Sequence, residues 1–80
     1  MKLWLIRRTD SVDYDEYDSA VVAADDEVSA RNMHPDGSGR KWGDRYSSWC
    51  KSPELVDVTL LGTAKRGTEA GVILAIFNAG

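Results

Sequence analysis

The most apolar run in the chain, from Gly71 to Phe77, places the strongest limit on the fold. Its side chains alternate with a period of two, which puts Val72, Leu74 and Ile76 on one side of the backbone and Ile73, Ala75 and Phe77 on the other. A run of seven residues that is apolar on both sides is typical of a fully buried strand. The sequence therefore predicts a β-strand in the centre of a sheet.

Three further segments have the pattern of strands. Residues 3–8 alternate in the same way and predict an inner strand, with Arg7 and Arg8 emerging into solvent at its end. Residues 19–24 form a short apolar segment that we expect to pair antiparallel with the first strand, across a loop at 9–18. Residues 55–61 alternate again and predict a strand after a long irregular segment that carries Trp42 and Trp49.

One helix fits between the second and third strands. Asp25 is the predicted N-cap, and carboxylates in the first turn favour the positive end of the helix dipole. Ala30 and Met33 form the predicted buried stripe, about ten residues fit before Pro35, and Arg31 is expected to face water. The order β-β-α-β-β predicts a single α+β domain over residues 1–80, with a mainly antiparallel four-stranded sheet and one short helix packed on it.

Charge is distributed very unevenly along the chain. Residues 9–27 hold eight of the thirteen carboxylates and contain no Lys or Arg. Such a stretch predicts a negative surface that docks on a basic partner, because spaced carboxylates imitate the phosphate row of a nucleic acid, and tyrosines are enriched at interface hot spots. The predicted partner-binding residues are Asp13, Tyr14, Asp15, Glu16, Tyr17, Asp18, Asp25, Asp26 and Glu27.

Two alternatives come from other features. A basic, glycine-rich loop predicts contact with phosphates and a base through Arg40, Lys41, Trp42 and Arg45, although the net charge of −3 disfavours direct nucleic-acid binding. A homodimer that pairs sheet edges, or that brings acidic and basic faces together, is the third hypothesis. The leading hypothesis remains a protein-binding inhibitor whose partner is a host protein or ribonucleoprotein with a basic surface.

Several classes of function lack their usual residues. His34 is the only histidine, and no nucleophile elbow, phosphate-binding loop or dinucleotide fingerprint is present, so we expect no enzyme and no cofactor. The spacing of acids from Asp13 departs from an EF-hand, and no metal site is predicted. The single Cys50 predicts a free thiol in a reducing bacterial cytoplasm. No apolar run is long enough to span a membrane.

Nearly the whole chain resembles a family of small standalone proteins from bacteria, phages and prophages. The residues that carry the resemblance are the opening MKLWLIRRTD, the DYDEYD run, AADDE leading to Ala30-Arg31 and His34-Pro35, and the closing GVI and FNAG. The family brings no catalytic motif and no established activity. By size, acidity and architecture the chain is also similar to anti-CRISPR proteins, which implies inhibition of a nucleic-acid-handling complex.

Overall fold

The computed structural model describes residues 1–12, 14–39, 42 and 48–78. Within them lie strands β1 (Lys2–Arg8), β2 (Glu16–Ala24), β3 (Val56–Thr63) and β4 (Gly71–Asn78), helix α1 (Glu27–Arg31) and a 3-10 turn (Pro53–Leu55). The strands form one antiparallel sheet in the order β3-β1-β2-β4. This arrangement confirms the predicted small α+β fold.

One face of the sheet carries the core. Trp4 and Ile6 of β1 are buried there, next to Val22 and Ala20 of β2, their register partners. Helix α1 packs across β1, β2 and β3 and contributes the fully buried Ala30. The small side chains of Ala20 and Ala24 on β2 permit this close approach. The indole of Trp4 donates a hydrogen bond to the Ala24 carbonyl (3.0 Å), so this large side chain also satisfies its polar atom.

The prediction that β4 is a central strand is wrong. Strand β1 lies inside the sheet as expected, but β4 lies at the edge and pairs with β2. The register shift between Val21 and Val22 skips Ile73, so the predicted alternation changes face at that residue. Val72 and Ala75 both pack against the core, whereas Leu74 and Ile76, on the opposite face of the sheet, are more than half exposed. The doubly apolar pattern of β4 therefore does not reflect burial on both faces within this chain.

Helix α1 is shorter than predicted and starts one residue later. Its N-cap is Asp26, not Asp25, because the Asp26 carboxylate accepts a hydrogen bond from the Ser29 N–H (2.7 Å). The helix ends at Arg31, which does not face water as expected. Its guanidinium donates to the carbonyls of Pro53 (3.2 Å) and Val56 and so ties the helix to the start of β3.

The segment between helix and β3 covers part of the core. Trp49 is buried, and Trp42 packs against the core cluster while its indole donates to the Asn32 side chain (2.9 Å). His34 is buried as well, at the edge of the Tyr17 ring and 2.9 Å from a carboxylate oxygen of Asp36. These aromatic side chains thus extend the core beyond the single short helix.

Candidate protein-binding surface

A buried guanidinium organises the acidic loop. The Arg8 side chain is only 5% exposed, and it donates to both carboxylate oxygens of Asp10 (2.6 and 3.0 Å). It also donates to Glu16 (3.2 Å) and to the carbonyl of Tyr17 (3.5 Å). We name Arg8, Asp10 and Glu16 the Arg8 cluster. The prediction that Arg8 emerges into solvent is wrong, because these two carboxylates let its charge stay out of water.

The electrostatics of the Arg8 cluster follow from these contacts. The hydrogen bond from Arg8 lowers the pKa of Asp10, and the same bond raises the pKa of Arg8. The guanidinium also lies 6.0 Å from the centre of the Trp49 ring, within the range of a cation–π contact. Two acids of the loop therefore have a structural role, and their charges are largely matched inside the protein.

Three further residues at this end of β2 lie outside the Arg8 cluster. Tyr14 is 70% exposed, Asp15 is exposed, and Asp18 is half-buried at the start of β2. We name Tyr14, Asp15 and Asp18 the acidic tip. Asp15 adopts a left-handed backbone (φ 59°), which Asp tolerates better than most residues, and its N–H donates to the Asn78 carbonyl (2.6 Å). The acidic tip is thereby fixed to the end of β4.

Tyr17, which was predicted to bind the partner, packs inward. It is half-buried against the core cluster. Its ring meets Phe77 edge-on at 4.9 Å between centroids, and His34 at 6.3 Å. The two tyrosines of the acidic loop thus have different surroundings, and Tyr14 is the one that presents its ring to solvent.

The three acids at the helix start have contacts of their own. Asp25 lies 3.6 Å from the amino terminus, and Glu27 lies 3.6 Å from Arg31 one turn later. Asp26 is the N-cap, and the Ser29 N–H lowers its pKa. All three carboxylates remain exposed. Capping, dipole compensation and ion pairing explain their positions without a partner.

The two acidic groups do not form one continuous patch. They lie at opposite ends of β2, whose nine residues run from Glu16 to Ala24. At roughly 3.3 Å per residue, the two ends are about 26 Å apart. A single contiguous surface therefore cannot include both the acidic tip and the helix start without covering the length of β2.

The other predicted site residues do not form a described site. Asp13, Arg40, Lys41 and Arg45 lie outside the described residues. Trp42 is held by the core and by Asn32, which restricts its use as a stacking platform for a base. A search of the described residues finds no group of three metal-ligating side chains. Among helices in the described ranges, none has the length and apolarity needed to cross a bilayer.

A feature that sequence analysis missed lies on β4. Four large apolar side chains of this one strand are exposed by about half: Ile73 54%, Leu74 61%, Ile76 55% and Phe77 45%. Their period-two pattern was visible in the sequence, but it was interpreted as burial. Leu74 and Ile76 lie on the face opposite the core, whereas Phe77 contacts Tyr17 on the core side. Large exposed apolar side chains of this kind are typical of interaction sites. The described molecule thus presents an acidic tip and, beside it, an apolar edge.

Comparison of the chain with protein-family models, curated proteins and solved structures found no match. The family resemblance drawn from the sequence stays a prediction.

Proposed function

We propose that this protein is a non-enzymatic, protein-binding inhibitor that acts on a complex handling nucleic acid. The observation that carries the proposal is the acidic tip. Tyr14 and Asp15 are exposed and immediately precede β2, half-buried Asp18 lies near the start of that strand, and the Asp15 N–H donates to the Asn78 carbonyl of β4. Tyrosine is among the side chains enriched at interface hot spots.

The chemistry of the tip indicates the class of partner. Two of the neighbouring acids are matched by Arg8, so the net negative charge of this end comes from the carboxylates that remain outside the Arg8 cluster. Such a surface favours a basic site, and charge complementarity raises the rate of association. The channel that binds DNA or RNA in a nucleic-acid-handling complex is a basic site of this kind. The most specific form of the proposal is an anti-CRISPR protein that occupies such a channel.

The general form is tested with the triple variant Tyr14→Ala, Asp15→Asn, Asp18→Asn. These substitutions leave the Arg8 cluster intact, whereas replacing every acid of the loop would also remove Asp10 and Glu16. The matched control is Asp25→Asn with Glu27→Gln, which removes the same number of charges at the other end of β2. The tagged wild-type protein is used to capture its target from a bacterial lysate, and the two variants are compared for binding to the purified target.

We expect the triple variant to lose at least tenfold in affinity and the control to lose less than twofold. We also expect DNA or RNA to compete with the wild-type protein for the target. Equal binding by both variants, or a target with no nucleic-acid-binding surface, would contradict the proposal. The anti-CRISPR form is tested separately, by phage plating on hosts with an active CRISPR system. Unchanged interference in every system type would exclude that form.

A further inference from the structure

The two edges of the sheet are protected to different degrees. Strand β3 carries the charged Asp57, has a register irregularity opposite Leu3 and Trp4, and receives the Arg31 guanidinium on its first carbonyl. Charges and bulges of this kind are the usual devices that prevent a sheet edge from pairing with another chain. The β3 edge therefore has the features of an edge that stays exposed in a monomer.

Strand β4 shares one of these devices, since its register against β2 shifts between Tyr17 and Ser19 and again between Val21 and Val22, but it lacks the charges. Its eight residues include no charged side chain and no proline, and among the described residues it pairs with β2 alone. Every second residue of an edge strand directs its N–H and C=O away from its neighbour, ready to accept another strand. The half-exposed side chains of Ile73, Leu74, Ile76 and Phe77 line this same strand. A backbone edge without charged side chains thus coincides with exposed apolar ones.

We infer that the edge of β4 that faces away from β2 pairs antiparallel with β4 of a second copy of this chain, which joins the two sheets into one. A twofold axis makes such a contact self-complementary, because each strand offers the same surface to the other. The apolar side chains of one copy would then lie beside those of its partner, with no charged residue in either strand.

The position of the acids decides the direction of pairing. The Asp15 N–H bonds to Asn78 at the end of β4, and Glu16 is the register partner of Asn78. Parallel pairing would bring two acidic tips together and create like-charge repulsion. Antiparallel pairing instead places them at opposite ends of the contact, about 25 Å apart for strands of this length. A basic partner bound at one tip would therefore not obstruct the other.

The size of the patch predicts the strength of the dimer. The four half-exposed apolar side chains together expose an area on the order of 400 Å², which is divided between the two faces of the sheet. A stable interface buries about 800 Å² on each partner, so this contact falls at the weak end. We expect dissociation in the micromolar range, with dimer formation that depends on protein concentration.

The first test measures the mass of the full chain by sedimentation from about 1 to 500 µM, at two salt concentrations. We expect the wild-type protein to shift from monomer to dimer as its concentration rises. In each of the single variants Leu74→Lys and Ile76→Lys, the dimer dissociation constant should rise at least tenfold. The control is Val28→Lys, which adds the same charge at another exposed apolar side chain (68% exposed), on α1. A monomer over the whole range, or an equal loss in the Val28 variant, would overturn the inference.

The second test distinguishes edge pairing from other contacts. Single cysteines are placed at Ile73, Leu74 or Ile76 and oxidised, since antiparallel neighbours are close enough for a disulfide. Wild-type protein gives the baseline, because its Cys50 is buried and that burial raises the pKa of the thiol to about 11.

We expect crosslinking at a single self-facing position, or between two different positions in a mixture of variants. Self-linking at all three positions would instead indicate parallel strands. The absence of any crosslink above the wild-type baseline would show that the β4 edges do not meet. Either result would overturn antiparallel pairing.

Discussion

The two ends of β2 carry similar charges but use them differently. At the Glu16 end, two carboxylates surround a guanidinium that is almost completely buried. At the Ala24 end, three exposed carboxylates meet the amino terminus, a helix amide and the partly buried Arg31. The energetic consequences differ because a buried charge depends on its partners far more than an exposed one does. A run of acids in a sequence is therefore not a measure of how much charge is available to a ligand.

Removing the guanidinium should have the largest effect. Arg8→Met leaves Asp10 and Glu16 facing each other without their cation, and we expect the free energy of unfolding to fall by about 3 kcal/mol. The matched control is Arg7→Met, because the Arg7 side chain is 60% exposed and its ion pair with Asp57 is long (3.9 Å). That variant should lose less than about 0.5 kcal/mol.

Urea denaturation at pH 7 measures both variants. Similar losses in the two would show that burial does not distinguish these neighbouring arginines. Adding Asp10→Asn and Glu16→Gln to Arg8→Met should recover part of the lost stability, since the carboxylates then carry no unmatched charge. A triple variant less stable than Arg8→Met alone would contradict this account of the Arg8 cluster.

The same cluster predicts an acid-dependent loss of stability. Because Arg8 lowers the pKa of Asp10 in the folded protein, this ion pair stabilises the fold at pH values above the unfolded pKa of about 3.9. The contribution is lost as the pH falls through the lower pKa of the folded state. Asp10→Asn should therefore be less stable than wild type at pH 7, and its stability should change less between about pH 4 and pH 2.

Urea midpoints at pH 7, 4 and 2.5 provide the measurement. Some dependence on pH will remain in the variant, because the pKa values of Asp26 and Glu54 are also lowered by hydrogen bonds. Parallel stability curves for variant and wild type would contradict a special role for Asp10.

The contrast between the two ends also shows what the sequence could predict. Period-two alternation, which depends only on neighbouring residues, was sufficient for β1. The apolar segment at residues 19–24 predicted β2 and its antiparallel pairing with β1, but the strand begins at Glu16, inside the predicted loop. The environment of Arg8 could not be obtained in this way. Its partners lie two and eight residues further along the chain, and they converge only when the loop returns to start β2 at Glu16.

Strand β4 illustrates a second limit. Its alternation predicted the strand correctly, yet the same apolar residues fit a central strand or an edge strand that binds something else. Only the strand order, with β2 between β1 and β4, distinguishes the two. The N-cap shows the limit on a smaller scale, because Asp25 and Asp26 are chemically equal and the helix selects the one whose carboxylate reaches Ser29.

At the helix start, the two adjacent acids should behave differently. Asp26→Ala removes the cap of α1, and we expect the midpoint of thermal unfolding to fall by about 2–8 °C. Asp25→Ala removes only an exposed ion pair with the amino terminus and should lower the midpoint by less than about 2 °C. Circular dichroism melts at pH 7 measure both. If Asp25→Ala lowered the midpoint more than Asp26→Ala, the N-cap would be Asp25, as the sequence predicts.

The acidic tip should show the smallest effect on stability. In Asp15→Asn with Asp18→Asn, both carboxylates lie outside the Arg8 cluster, and Asn tolerates the left-handed backbone at position 15 as well as Asp does. We expect the free energy of unfolding at pH 7 to change by less than about 0.5 kcal/mol in urea denaturation. Charges that contribute this little to the fold, on a backbone tied to β4, are the ones a partner could use. A loss of more than about 1 kcal/mol would assign the tip the same structural role as Asp10 and Glu16, and its acids would then give no support to a binding function.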